Sequence, residues 1–193
     1  MSLLRGTGAR LAAGATLALL AVSGCSATQT QTPVAIPSSS PTPAPLFAND
    51  EEALAAAKKA YAAYESISDL ILREGGEDSG RVKPFTSAEL AETDMAAYSR
   101  ARSNGWHSTG ESAFDNLTLQ SVDESAPHGV AVISAYLCSD VSEVDVLNRS
   151  GKSIVAASRK VRIPFLVTFD LQSSGSADLV VGSREVWEGE GVC

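Results

Sequence analysis

The chain has 193 residues, 44% of them hydrophobic and 20% charged, which suits one ordinary domain with extensions and excludes wholesale disorder, collagen-like repeats and coiled coils. Lys and Arg total 15 against 23 Asp and Glu, a net charge of -8. Nucleic-acid binding and polybasic attachment to anionic lipid both require clustered cations, and the sequence holds no basic stripe.

The N-terminus reads MSLLRGTGARLAAGATLALLAVSGC. Arg5 and Arg10 form a positive n-region, followed by an uncharged apolar run from Leu11 to Val22. A membrane-spanning helix takes about 20 apolar residues, so a run this short fits the h-region of a signal peptide. It ends in Val22-Ser23-Gly24-Cys25: an aliphatic residue, two small residues and a cysteine. That order is the lipobox of bacterial lipoproteins. Small residues let the extended backbone enter a narrow peptidase cleft, and the cysteine thiol is alkylated by diacylglycerol. The expectation is a signal peptide over 1–24 and a lipid on Cys25, with two or more acyl chains giving stable anchoring at the extracytoplasmic face of the cell membrane.

Residues 26–45 carry five of the eight prolines and no charge. Such a segment cannot bury enough apolar surface to offset its ordering entropy. With the lipidated cysteine it reads as a disordered Pro/Ser/Thr-rich tether over 25–46. At about 3.1 Å per residue it reaches roughly 60 Å from the membrane. Residues 47–193 remain for a single extracytoplasmic domain.

Helical signals open that domain. Asn49 with Glu52 makes a capping box, and Leu54, Ala57, Tyr61, Tyr64, Ser68 and Ile71 follow at 3-4 spacing until Gly75-Gly76. Thr86 with Glu89 makes a second box, with Phe85 placed to staple onto Leu90, and Asn104-Gly105 closes the helix. From Phe114 the period changes to two. Leu117 to Val122 is a short strand, and Val130 to Cys138 puts Val130, Val132, Tyr136 and Cys138 on one face. Lys160 to Leu171 alternates without exception, from Val161 to Leu171, with Pro164 pointing to an edge or a bulge. Leu179 to Trp187 returns antiparallel. The fold class is α+β: two N-terminal helices packed on a curved antiparallel β-sheet.

Lipidation uses Cys25, so Cys138 and Cys193 allow a single disulfide, in a compartment that permits it. A metal-binding or reactive thiol has no CxxC to support it. The two histidines, His107 and His128, lie at no ligand spacing to a cysteine.

The chain resembles a known family at Gly105-Trp106 before Thr109-Gly110, Cys138-Ser139-Asp140-Val141-Ser142, Gly151-Lys152-Ser153, Val186-Trp187 and Cys193. It is similar to actinobacterial lipoproteins that carry a nuclear transport factor 2-like domain behind a lipobox and a Pro/Thr-rich tether. The resemblance spans nearly all of Cys25 to Cys193. It implies a cone-shaped α+β domain at the envelope and no particular activity.

Enzymes of that fold place an acid or a histidine inside the cone. Glu185 shares alternation with Leu179, Val181 and Trp187, and Asp140 follows Cys138 at a strand end. With Tyr136 and Trp187 they form the candidate pocket: Tyr136, Asp140, Glu185 and Trp187. No catalytic set, phosphate loop, metal cluster or cofactor motif stands out. The expected function is a non-enzymatic binding or interaction module of the cell envelope, taking a protein partner or a small apolar ligand. The alternatives are an isomerase or cyclase using Glu185 or Asp140 as base, and a purely structural spacer.

Overall fold

The structure, a computed structural model, describes residues 44–193. The signal peptide, Cys25 and the tether up to residue 43 lie outside the described residues. Helices α1 (Asp50–Arg73) and α2 (Ala88–Asn104) are followed by strands β1 (His107–Thr109), β2 (Ala113–Val122), β3 (Ile133–Asp140), β4 (Asp145–Leu147), β5 (Arg162–Leu171) and β6 (Leu179–Val186). The class is α+β. Strands β2-β3-β5-β6 form one antiparallel sheet in that order, and β1 pairs with β4 in a separate ribbon. Among the described residues, no helix is long and apolar enough to cross a membrane.

The Asn49 side chain accepts from Glu52 N–H at 2.9 Å, and the Glu52 carboxylate accepts from Ala48 N–H at 2.7 Å. Together they satisfy free donors at the start of α1. Ala53, Ala57, Tyr61, Tyr64 and Ile71 form its buried stripe. The helix stops where Gly76 N–H returns to the Ile71 carbonyl at 2.8 Å. Gly76 has φ +81, and a Cβ there would stand 2.1 Å from the Tyr98 carbonyl oxygen. Only glycine permits that approach of the turn to α2.

Helix α2 starts one residue later than the capping pattern suggests. The Thr86 backbone bridges Val181 of β6, and its hydroxyl donates to the Val82 carbonyl at 3.4 Å. Ser87 is the cap instead. Its Oγ accepts from Leu90 N–H at 3.1 Å and donates to the Gly182 carbonyl at 2.7 Å, which ties α2 to β6.

The inner face of the sheet carries Ile133, Ala135, Leu137, Val167, Phe169 and Val181, all fully buried. Each large apolar side chain in such a core stabilises the fold by roughly 1.5–3 kcal/mol. The alternation of β5 places Val167 and Phe169 inward as expected, while Val161 lies before the strand and is exposed. Strand β3 departs from the expected face. Ala131 has φ +55, which breaks the extended chain, so the strand begins at Ile133 and its inward residues are odd-numbered. Nor does Pro164 mark an edge: β5 lies between β3 and β6. The Pro164 carbonyl accepts from Trp187 N–H at 2.8 Å, past the last residue of β6, so the missing donor falls where that ladder has ended.

The two ends of the domain are tied down. Leu46 and Phe47 N–H both donate to the Glu124 carboxylate at 2.9 Å, Phe47 is buried, and Leu46 packs against the core. Ordered packing therefore starts one residue earlier than expected. At the other end Cys138 and Cys193 are joined, with Cα atoms 5.2 Å apart. Asn116 Nδ2 donates to the Val192 carbonyl at 3.1 Å. The tail thus crosses the outer face of the sheet.

Candidate functional site

The site originates in one irregularity of β6. Thr168 pairs with Ser183 but Phe169 pairs with Val181, which leaves Gly182 as the extra residue of a bulge. A bulge shifts the side-chain phase by one. Leu179 and Val181 face the core before it, and beyond it Arg184 stands opposite the buried Val167. A Cβ on Gly182 would meet Asp170 Oδ1 at 2.4 Å and Thr168 Oγ1 at 2.7 Å. The glycine leaves room for those side chains at the bulge, and the shifted phase turns Arg184 inward.

The Arg184 guanidinium carbon lies 4.3 Å from the Phe165 ring centre, 5.5 Å from that of Tyr64 and 5.9 Å from that of Tyr61. Nη1 donates to the Tyr64 hydroxyl at 3.1 Å, and that hydroxyl donates to the Asp94 carboxylate at 3.0 Å. Nε is shut off from solvent and has no partner. Among the described residues no carboxylate forms an ion pair with Arg184. Cation–π contacts of about 0.5–2 kcal/mol offset part of its dehydration.

Arg184 contributes to the wall of a cavity of about 160 Å³ between α1 and the sheet, with Tyr61, Tyr64, Glu65 and Asp69. Leu72, Val141 and Val144 supply its apolar side. Glu65 and Asp69 are one helical turn apart and share a face of α1. Asp69 accepts from Ser112 N–H at 2.8 Å and from Ser112 Oγ at 2.9 Å. Burial, with the Asp69 charge second, pushes the Glu65 carboxyl up to about 7, against the pull of Arg184 and Ser112. Burial also raises Asp94, with Tyr64 and Arg184 opposing. Among the described residues no group of three His, Cys, Asp or Glu is placed to hold a metal. A larger hollow of about 330 Å³, walled by Ala56, Ala60, Pro84 and Phe85, brings together no buried polar groups, and one of about 180 Å³ on the other side of Glu65, Asp69 and Ser112 adds Arg73 and Glu111.

None of the four expected pocket residues enters this cavity. Glu185 is exposed, because the bulge at Gly182 turns it outward. Tyr136 packs against Trp187, with ring centres 4.8 Å apart and planes tilted by 53°, on the outer face. Asp140 accepts from Ser142 N–H at 2.9 Å and from Arg162 Nη1 at 2.8 Å. Those bonds, Ser142 first, hold its carboxyl below the ordinary range. It is a committed anion, unsuited to act as a base. Glycine inside a strand is a bulge signal, and counting past Gly182 would have turned Arg184 inward.

No protein-family model and no curated protein sequence matches the chain. Among solved structures, it is similar to the intermembrane space region of the chloroplast protein ARC6, with a TM-score of 0.50 and 10% sequence identity over 70% of this chain and 97% of that one. At that identity the likeness is one of fold alone.

Proposed function

We propose that this chain is a lipid-anchored lipoprotein of the cell envelope, held through Cys25 at the extracytoplasmic face. Its domain is a nuclear transport factor 2-like cone that binds a small ligand and does not transform it. The lipobox and tether support the location. Arg184 carries the binding reading: a half-buried cation against three aromatic rings, hydrogen-bonded to Tyr64 and ion-paired with no carboxylate among the described residues, beside a cavity. Withdrawing a guanidinium from water, even in part, without an ion-pair partner costs stability if it serves only the fold. An acceptor entering the cavity supplies the partner it lacks. The ligand is therefore polar, where apolar character was the expectation from sequence.

The test is native mass spectrometry of the mature lipidated chain, released in detergent from its own membranes. The reading expects a dissociable small-molecule mass that Arg184→Met abolishes. A bare protein mass from both forms overturns it in favour of a protein partner or a spacer. A second reading, isomerase- or cyclase-like chemistry, now rests on Glu65, whose carboxyl near neutrality suits a general base. Recovery of the bound molecule chemically altered after incubation favours that reading, and recovery unchanged favours binding.

A further inference from the structure

We propose that the ligand of this cavity is a small zwitterion, its carboxylate on Arg184 and its ammonium on Glu65 and Asp69, the chemistry of a free α-amino acid. This rests on the binding reading above and gives the ligand a chemical class.

The cavity wall holds one cation, on β6, and two carboxylates, on α1. A third carboxylate, Asp94, stands behind Tyr64. A simple anion would reach the guanidinium only by adding a negative charge to a wall that already has an excess of acids. A simple amine would satisfy the acids and leave the guanidinium as it is. A zwitterion adds no net charge and meets both ends. Arg184 has five N–H donors and uses one on Tyr64. Its planar fork suits a carboxylate. The Ser112 bonds fix the orientation of Asp69 while each oxygen keeps acceptor capacity for an ammonium, which offers three donors. Leu72, Val141 and Val144 line the cavity beside these groups and receive a small apolar side chain. The volume of about 160 Å³ falls below the roughly 300–1,000 Å³ of sites for drug-sized molecules, and so limits the ligand to a few heavy atoms.

The experiment is isothermal titration of the mature chain in detergent with each standard amino acid in turn. The tightest binder is then compared with its deaminated acid and its decarboxylated amine; for L-valine these are isovalerate and isobutylamine. The expected result is binding by at least one amino acid, with acid and amine each at least about tenfold weaker. Arg184→Lys and Glu65→Gln should each weaken the amino acid by about the same factor. Glu65 lies on α1, apart from the β6 bulge, so its variant reports even if the arginine variant misfolds. Equal affinity for acid and amino acid, or an undiminished affinity in Glu65→Gln, overturns the zwitterion and leaves the binding reading standing. So does binding by no amino acid when native mass spectrometry shows a bound mass. No binding together with a bare mass overturns both.

Discussion

Arg162 and Arg184 sit on neighbouring strands of one sheet and show how differently one side chain is used on its two faces. Arg162 points outward from β5, meets both Asp115 oxygens at 2.8 and 2.9 Å, and meets Asp140 at 2.8 Å. It stitches β2, β3 and β5 together, and its donors are matched by carboxylates. Arg184 points inward from β6, has one hydrogen bond, to a tyrosine, and no ion pair among the described residues. The outward arginine is saturated and structural. The inward one, half-buried, retains the unused donors that a binding site requires.

The largest expected effect isolates the outer face. Cys193→Ser removes a bridge between residues 55 apart in sequence, which in the chain-entropy model costs about 4 kcal/mol. Denaturant unfolding should show that loss while ligand affinity in the folded protein stays unchanged. A parallel loss of affinity would mean that the two faces are coupled. Next is Gly182→Val, which forces a side chain into Asp170 and Thr168. A loss of about 2–3 kcal/mol is expected, with loss of ligand as Arg184 is displaced. Retained binding would detach the site from the bulge.

The arginine itself gives the sign test. Arg184→Met replaces a half-buried cation that lacks an ion pair with an apolar chain of similar length, and should stabilise the ligand-free protein by about 1 kcal/mol while abolishing binding. Destabilisation would make Arg184 a structural residue like Arg162. Glu65 adds a pH dependence. Its carboxyl is raised from 4.5 to about 7 in the folded protein, so the folded state holds more protons than the unfolded state in that window. Stability is fully present below pH 4.5 and falls as pH rises to about 7. Because the carboxyl is partly exposed, solvent screening limits the change to about 1 kcal/mol. Glu65→Gln should flatten that slope in thermal unfolding across the window.

What the sequence reveals of this fold is what neighbouring residues decide. The Asn49–Glu52 cap, the stripe from Ala57 to Ile71 and the alternation of β5 depend on a few adjacent positions, and they read correctly. The cap of α2 does not, because Thr86 is claimed by a bridge to Val181 almost a hundred positions away. The start of β3 is set by one left-handed residue, Ala131. The site suffers most, since strand phase is all-or-none. One extra residue at Gly182 exchanges Glu185 for Arg184, and with them the choice of face. Glu65 and Asp69 flank a stripe that reads as core, and only the packing of β6 against α1 turns them into cavity walls.

The smallest effect decides whether the comparison is sound. Arg162→Met leaves Asp115 and Asp140 without their shared cation, but both stay in contact with water. Exposed ion pairs contribute about 0–1 kcal/mol, so the expected loss is about 0.5 kcal/mol, fading as salt is raised. The sign is opposite to that of Arg184→Met although the substitution is the same. If both variants lost stability, the face of the sheet would not distinguish the two arginines, and the unused donors of Arg184 would cease to be a reason for a ligand. If Arg162→Met loses a little and Arg184→Met gains, the inner arginine is being kept at a cost to the fold. A cost retained at a cavity wall is explained by what enters the cavity.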